Sequence, residues 1–423
     1  MSLFSRTLAL LLISSTALIT AAESVSPAIT ETRITTNELD QMGPAIYGNR
    51  IVWDDNRNGY DNSDIYMYDL SASKETQITN DRSQQGSPAI YGDRIVWSDL
   101  RNGNWDIYMY NISTSTETRI TTDGSDQTAP DIYGDRIVWD DWRNGDRNIY
   151  MYNLSTCKET RITNDESYQG CPAIHGDRIV WEDDRDRNYV YDIYMYDLST
   201  KQEFQITSSL YDKRSPAIYG EIITWEDERN KGEEETNPDI YVYDFLDKKE
   251  TQLTDNGCSH GSAIYGDRII WYDYRNEDSE IYIYNVSTSA ETRITNIGAA
   301  QMNPAIYGDR IVWMDNRNGN WDIYMATVSE DGLKPEPLVA DFSASPSLGE
   351  APLTVTFTDK STESPSSWSW NFGDRSISTA QNPVHTYNKV GKYTVSLTVG
   401  NAVGNDTKKV SQCIIVKKNL KNK

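Results

Sequence analysis

Short apolar phrases alternate with short polar ones along most of this chain, and the same phrases return at a regular distance. An Ile-Val-Trp run or a close variant marks each copy, and a proline, or serine in one copy, stands nine residues before each tryptophan. The marking tryptophans are Trp53, Trp97, Trp139, Trp181, Trp225, Trp271 and Trp313, spaced 42 to 46 residues apart. Runs of β-branched and aromatic residues separated by Gly, Asn, Asp and Ser predict strands joined by turns.

The first six copies contain four such phrases each, and the seventh copy lacks the fourth. The fourth phrase, Glu-Thr-x-Ile-Thr or a close variant, begins at Glu75, Glu117, Glu159, Glu203, Glu250 and Glu291. The seventh copy has Leu333-Lys-Pro-Glu-Pro at that place, and prolines cannot donate to a strand ladder. The missing phrase lies at residues 31–35, thirteen residues before Pro44. The pattern predicts an all-β fold: a seven-bladed β-propeller over residues 23–328, closed by the N-terminal strand.

A Trp-x-Asp-x-Arg string follows the second phrase in all copies. Its acidic and basic members are Asp55/Arg57, Asp99/Arg101, Asp141/Arg143, Asp183/Arg185, Asp227/Arg229, Asp273/Arg275 and Asp315/Arg317. Because the pair recurs once per blade, we interpret it as bracing a turn. The alternative is a cation site at Asp54-x-Asn56-x-Asn58-Gly59, which lacks the glutamate of a calcium loop. We further expect each Pro of the first phrase to begin its strand.

Charge and terminal segments narrow the function. The formal net charge is −24 and the pI is about 4.5, which argues against a nucleic-acid partner. Residues 1–22 resemble a signal peptide, with Arg6 before an apolar stretch and a small-residue cleavage site. No later segment is apolar enough to predict a membrane span. We therefore expect a secreted, extracellular protein held at the cell surface, ending in a basic tail at residues 419–423.

The cysteines and the glycosylation sequons say less about function than the charge and the terminal segments do. The four cysteines are placed too far apart for obvious pairing, so we expect free thiols. Glycosylation sequons occur at Asn111, Asn153, Asn285 and Asn405. The first three share a repeat position that holds aspartate in other blades, so an Asx turn explains them equally well.

The repeat over residues 31–328 resembles that of TolB-type, WD40-like β-propellers. The resemblance lies in Ile-Thr, then Pro-Ala-Ile-Tyr-Gly-Asp-Arg-Ile-Val-Trp-x-Asp-x-Arg-Asn-Gly, then Asp-Ile-Tyr-Met-Tyr. It departs from that family's usual Ser-Pro-Asp-Gly hairpin, which here is Tyr-Gly-Asp-Arg. Such a repeat implies a fold but specifies little about function.

A second domain is predicted at residues 339–418, after a linker at 329–338. Its phrases include Trp368-Ser-Trp-Asn-Phe-Gly-Asp374 and Tyr393-Thr-Val-Ser-Leu-Thr-Val399, and they resemble a PKD domain, an immunoglobulin-like β-sandwich. Arg375 stands where that family usually has glycine. PKD domains act as extracellular spacers or adhesion modules, and a TolB-like propeller followed by PKD resembles cell-surface proteins of methanogenic archaea.

The sequence lacks the residues that two kinds of catalytic site would need. Lyases built on this propeller type bind a metal through several histidines, whereas this propeller has His175 and His260 alone. No Gly-x-Ser-x-Gly motif is present. We therefore predict a non-catalytic binding or adhesion scaffold without cofactor or metal, whose partner is a protein or a cell-envelope polysaccharide. The alternative is a polysaccharide-active enzyme, a glycosidase or lyase, that uses acidic residues at the propeller channel.

A binding face is predicted where the blades differ most, at the second turns and the crossovers between blades. The candidates enlarge blades four and five or stand in blade six: Arg187, Tyr189, Tyr191, Glu233, Glu234, Glu235, His260 and Tyr274. Tolerated surface insertions are the alternative explanation, since a run of glutamates is usually just solvated.

Overall fold

The computed structural model describes residues 28–185, 190–230, 238–276, 278–329, 338–361, 365, 367–400 and 405–418. These residues form strands and turns, which confirms the all-β class. No helix among them could cross a membrane. The predicted signal peptide and basic tail lie outside the described residues, as does most of the predicted linker.

Residues 28–329 form seven four-stranded antiparallel sheets, numbered here 1 to 7 along the chain. The first strands are Gln41–Tyr47, Gln85–Tyr91, Gln127–Tyr133, Gln169–His175, Lys213–Tyr219, Ser259–Tyr265 and Gln301–Tyr307. The second strands are Arg50–Asp55, Arg94–Asp99, Arg136–Asp141, Arg178–Asp183, Ile222–Asp227, Arg268–Asn276 and Arg310–Asp315. First strands of neighbouring sheets contact one another all the way round, from sheet 1 to sheet 7 and back, so they form the inner wall of a ring.

The outer half of each sheet completes the blade. The third strands are Asp64–Asp69, Asp106–Asn111, Asn148–Asn153, Asp192–Asp197, Asp239–Asp244, Asp278–Asn285 and Asp322–Ser329. The fourth strands of sheets 1 to 6 are Lys74–Gln77, Thr116–Arg119, Lys158–Arg161, Gln202–Gln205, Lys249–Gln252 and Ala290–Arg293. In sheet 7 the fourth strand is Ala28–Arg33, the closing strand.

The closing strand joins the two ends of the ring. It pairs antiparallel with Asp322–Ser329, in a register from Ala28 opposite Ser329 to Arg33 opposite Tyr324. Just beyond it, Ile34 N–H donates to Ile323 O at 2.8 Å. The predicted N-terminal closure is therefore confirmed.

The prolines of the first phrase do not begin their strands, so that expectation was wrong. Each first strand starts three residues earlier, and a β-bulge shifts the register just before the proline, as between Met42 and Ala45. The residue preceding the proline has a positive φ, 56° at Gly43 and 54° at Ser87. A bulge leaves one residue unpaired, so a proline costs no ladder bond there.

The Trp-x-Asp-x-Arg string is a buried brace in every sheet, which confirms the turn-bracing prediction. In sheet 3, Asp141 accepts hydrogen bonds from Trp139 Nε1 at 2.9 Å and from Arg143 N at 3.0 Å. Arg143 also pairs with Glu159 of the fourth strand at 2.6 Å and lies 4.4 Å above the Tyr150 ring. The seven tryptophans are fully buried, each between its own sheet and the preceding one.

The C-terminal residues form a two-layer sandwich. One sheet holds Phe342–Ser345, Leu353–Asp359 and Val384–Tyr387, and the other holds Leu348–Glu350, Ser367–Asn371, Ile377–Ser378, Gly391–Gly400 and Asn405–Lys417. Trp370 and Phe372 are buried in its core, with Trp368 packed beside them. Arg375 has a φ of 83°, a conformation that favours the glycine usual at this position. Ser329 still belongs to the last propeller strand, and Leu338 is already buried in the sandwich.

Candidate functional site

Residues at one end of the inner ring repeat from sheet to sheet, whereas residues at the other end differ between sheets. At one end the first hairpin turn of every sheet follows a tyrosine or histidine. At the other end lie the crossovers between sheets and the second hairpin turns, and we call this end the crossover face. The backbone links the crossovers to the turns, since Gln85 N donates to Ser63 O at 2.9 Å and Gln127 N donates to Trp105 O at 2.7 Å.

An aromatic collar occupies the turn end of the inner ring. Its members are Tyr47, Tyr91, Tyr133, His175, Tyr219, Tyr265 and Tyr307, and neighbouring ring centroids are 4.3 to 4.9 Å apart around the whole circle. Tilted rings at these distances attract one another. The collar is a packed, repeated feature, which makes this end a structural one.

His175 is the one collar member whose ordinary pKa, about 6.5, lies near neutral pH. Its ring packs between Tyr133 and Tyr219, and its Nδ1 accepts a hydrogen bond from Gly220 N at 3.0 Å. Burial, with a smaller contribution from Arg178, lowers the pKa of His175 to about 4. The neutral ring is therefore the form that the fold accommodates.

The lowered pKa of His175 predicts a loss of stability in acid. Between the unfolded pKa of about 6.5 and the folded pKa of about 4, the unfolded chain binds more protons, so stability falls as the pH falls. His175→Tyr restores the repeat residue and removes this titration. The free energy of unfolding of wild type relative to His175→Tyr should drop by about 1–3 kcal/mol from about pH 7 to about pH 4, measured by urea denaturation. A pH-independent difference would contradict the prediction.

At the crossover face the inner-ring residues vary from sheet to sheet. The second residues of the first strands are Met42, Gly86, Thr128, Gly170, Arg214, His260 and Met302. Their partners on the second strands, one residue after the marking tryptophan, are Asp54, Ser98, Asp140, Glu182, Glu226, Tyr272 and Met314. Variation at positions that the fold holds equivalent is what a recognition surface requires.

Four of these partner residues are carboxylates, and three of them are engaged by the protein. Asp140 forms an ion pair with Arg147 at 2.5 Å. Glu182 accepts from Ser215 N at 3.2 Å, and Glu226 accepts from Gly261 N at 2.8 Å.

Asp54 is the exception among the four. No cationic side chain contributes to its pKa, which burial raises to about 7 against the opposing effect of a hydrogen bond from its own backbone N–H. A Cβ atom added to Gly43 would lie only 2.7 Å from Asp54 Oδ1, so glycine is needed at that position.

Three of the predicted binding residues lie in the described structure, all at the crossover face. His260 and Tyr274 are brought together, with ring centroids 5.8 Å apart, and His260 Nδ1 lies 3.3 Å from Glu226 Oε2. Tyr191 instead packs against Tyr168 at 5.2 Å, under the guanidinium of Arg214. The other predicted residues lie outside the described residues: Arg187, Tyr189, Glu233, Glu234 and Glu235.

The sequon asparagines of the propeller serve turns. The side-chain oxygens of Asn111, Asn153 and Asn285 accept hydrogen bonds from Thr114 N, Thr156 N and Thr288 N at 2.8 to 3.0 Å. Asn285 is only 4% exposed, which places its amide poorly for a glycan. Asn405 is exposed at the start of a sandwich strand, and glycosylation there stays a prediction.

Two asparagines of the alternative cation site are either hydrogen-bonded elsewhere or buried. Asn58 Nδ2 donates to Asp64 Oδ2 at 2.7 Å, and Asn56 is 2% exposed. Within the described ranges no group of three or more His, Cys, Asp or Glu side chains could hold a metal ion.

Comparison with known proteins agrees with this architecture. The sequence profile of the TolB beta propeller domain matches residues 34–235, and that of the PKD domain matches residues 334–416. Collagenase ColA of Bacillus cereus is 43% identical over 49 residues, a match that spans 12% of this chain and 5% of that protein.

Solved structures show the same propeller fold at low identity. Oligogalacturonate lyase from Vibrio parahaemolyticus superposes with a TM-score of 0.54 and 13% identity, over 72% of this chain and 98% of that one. The propeller domain of the Trilobed protease from Pyrococcus furiosus is described as having an open velcro topology. It superposes with a TM-score of 0.55 and 13% identity, over 71% of this chain and 99% of that one. Acylaminoacyl peptidase from Pyrococcus horikoshii superposes with a TM-score of 0.52 and 12% identity, over 75% of this chain and 57% of that one. The chain therefore contains a TolB beta propeller domain, matched over residues 34–235, and a PKD domain, matched over residues 334–416.

Proposed function

We propose that this protein is an exported, non-catalytic binding or adhesion scaffold of the cell surface. In this proposal the crossover face of the propeller holds the ligand, a cell-envelope polysaccharide or protein, and the PKD domain spaces or attaches it. PKD domains are typical of extracellular proteins, which supports a location outside the cell.

The distribution of exposed aromatic side chains carries the proposal. Among the described propeller residues, the exposed aromatic ones are Tyr60, Trp142, Tyr211 and Tyr274, between 38% and 58% exposed. Tyr60 and Trp142 belong to second turns, Tyr211 belongs to a crossover, and Tyr274 lies near the end of the second strand of sheet 6, so all four are at the crossover face. Exposed aromatic rings are costly in water and enriched where proteins bind partners. The collar end exposes no such ring within the described residues.

The alternative, a polysaccharide-active enzyme, is favoured by one observation, the four carboxylates among the seven equivalent second-strand positions at this same face. Carboxylate catalysis of glycoside cleavage needs two groups with different protonation states. Asp140, Glu182 and Glu226 are held by protein donors, which leaves Asp54 without an evident acidic partner. Lyases and peptidases that share this fold at 11 to 14% identity support the fold alone.

Binding and turnover can be measured together. The full chain is mixed with cell-wall polysaccharides and envelope proteins, and capture and release of shorter products are recorded. We expect capture without products, and we expect Trp142→Ala and Tyr274→Ala to weaken it about tenfold each. Leu246→Ala is the matched control, since Leu246 is 75% exposed in a turn at the opposite end of its sheet.

Three results would count against this proposal. Release of products would favour the enzyme. Capture that Trp142→Ala and Tyr274→Ala leave unchanged would move the ligand away from the crossover face. Failure to capture any of these polymers or proteins would remove the binding function altogether.

A further inference from the structure

A cavity opens at the crossover face between sheets 1 and 2, and it is distinct from the residues predicted as a binding patch. Its volume is about 250 Å³, and its lining includes Met42, Asp54, Asn56, Ser98 and Trp105. At about 30 Å³ per water molecule, this space is larger than a single water site and suits a small ring-shaped ligand.

Two side chains in the cavity wall have hydrogen-bonding groups without partners. Asn56 is 2% exposed and Ser98 is 3% exposed. Asn56 Nδ2 and Ser98 Oγ form no hydrogen bond with any described residue. Buried polar groups in native proteins are nearly always satisfied, so unpaired groups beside a cavity point to a ligand that supplies hydroxyl partners.

The amide of Asn56 is not needed for the local fold. The turn uses the backbone, with Asn56 N donating to Asp40 O at 2.9 Å and Gly59 N donating to Asn56 O at 2.8 Å. In sheet 2, Leu100 makes the same two backbone bonds without a polar side chain. The backbone bonds of this turn therefore do not require the Asn56 amide.

The rest of the lining restricts the chemistry of the ligand. Trp105 and Met42 provide apolar surface, and the lining contains no Lys, Arg or His. Asp54 is the only ionisable group, and its raised pKa, about 7, lets the carboxyl accept or donate a hydrogen bond near neutral pH. An anionic ligand would meet a carboxyl and no cation. A neutral ring with hydroxyl groups on its edge and C–H groups on its faces matches both the polar and the apolar walls.

We propose that this cavity binds one sugar unit of an uncharged polysaccharide, with Asn56 and Ser98 bonding its hydroxyls and Trp105 covering its face. This inference rests on the proposed function and names its ligand class. It adds one subsite at sheets 1 and 2, separate from Tyr191, His260 and Tyr274 in sheets 4 and 6.

Titration calorimetry on the full chain tests the inference. The probes are short oligosaccharides of glucose, mannose, xylose and N-acetylglucosamine as the neutral set, and of galacturonic acid as the acidic one. We expect a neutral probe to bind and the acidic probe to fail. Trp105→Ala and Asn56→Leu should each weaken binding about tenfold.

The chain offers a matched control for each substitution. Trp321 occupies the same position in the Asn-Gly-Asn-Trp-Asp turn of sheet 7 but lies outside the cavity, so Trp321→Ala should leave the affinity within about twofold. Asn56→Leu installs the residue that sheet 2 already carries, and an unchanged melting temperature would show that its fold is intact.

Each outcome separates the cavity from the broader function. Binding of a neutral probe that Trp105→Ala and Asn56→Leu leave unchanged overturns the cavity site, although a binding protein remains. Preference for the acidic probe overturns the charge argument. If no saccharide binds but envelope proteins are captured at the crossover face, the sugar site falls and the proposed function stands. If nothing is bound at all, both fall.

Discussion

Removal of residues 1–35 should lower the melting temperature by about 10 °C or more. The truncation deletes the closing strand and with it the six-residue pairing to Asp322–Ser329. It also removes the Arg33–Asp322 ion pair at 2.8 Å, the Glu31–Arg317 pair at 2.9 Å and the hydrogen bond from Ile323 N to Thr35 Oγ1 at 2.8 Å. At about 1 kcal/mol per net hydrogen bond, the loss is roughly 5 kcal/mol or more.

A truncation that stops before the closing strand provides the comparison. A variant lacking residues 1–27 keeps every contact named above and should melt with the full chain in differential scanning calorimetry. In the longer truncation, amide hydrogen exchange at Asp322–Ser329 should rise, because that strand becomes an unpaired edge. Equal melting temperatures for the two truncations would show that the ring does not depend on its N-terminal strand.

Substitution of one brace aspartate should have the second-largest effect, and Asp141→Ala is a clear case. Asp141 is fully buried and receives bonds from Trp139 Nε1, from Arg143 N and from the Arg143 guanidinium. Its loss leaves the indole N–H and part of the guanidinium without an acceptor in the interior. We expect a decrease of about 3–5 kcal/mol in the free energy of unfolding, measured by urea denaturation.

The same network contains its own control. Glu159 pairs with Arg143 at 2.6 Å, but its side chain is 33% exposed. Glu159→Ala should therefore cost at most about 1 kcal/mol, as exposed ion pairs usually do. A cost for Asp141→Ala as small as that for Glu159→Ala would mean that the brace contributes little to stability.

Repetition explains why so much of the fold could be predicted. A residue present at one position in every copy, such as the marking tryptophan or its aspartate, must serve the blade itself, and both proved to be buried brace members. The absent fourth phrase located the closing strand for the same reason. The strand starts were misplaced because a bulge before the proline leaves no mark in the hydrophobic pattern.

The candidate cavity was not anticipated, although a weak signal was present. The residue after each marking tryptophan changes from Asp54 to Ser98 to Tyr272, while its neighbours repeat. Comparing copies position by position would have pointed to this variable row. It would not have shown which members face one another, since Asn56 and Trp105 are separated by a whole repeat.

The order of residues thus specifies the blades, their closure and the brace, because these depend on contacts that recur at one fixed spacing in every copy. The grouping of Asn56, Ser98 and Trp105 around one cavity depends instead on the curvature of the ring, which brings neighbouring sheets together at the crossover face. Burial acts in the same way on Asp54 and His175, whose pKa values of about 7 and about 4 come from packing against other sheets and strands. A local sequence pattern does not show which residues of other sheets surround a side chain. The cavity and the shifted pKa values therefore follow only from the folded ring.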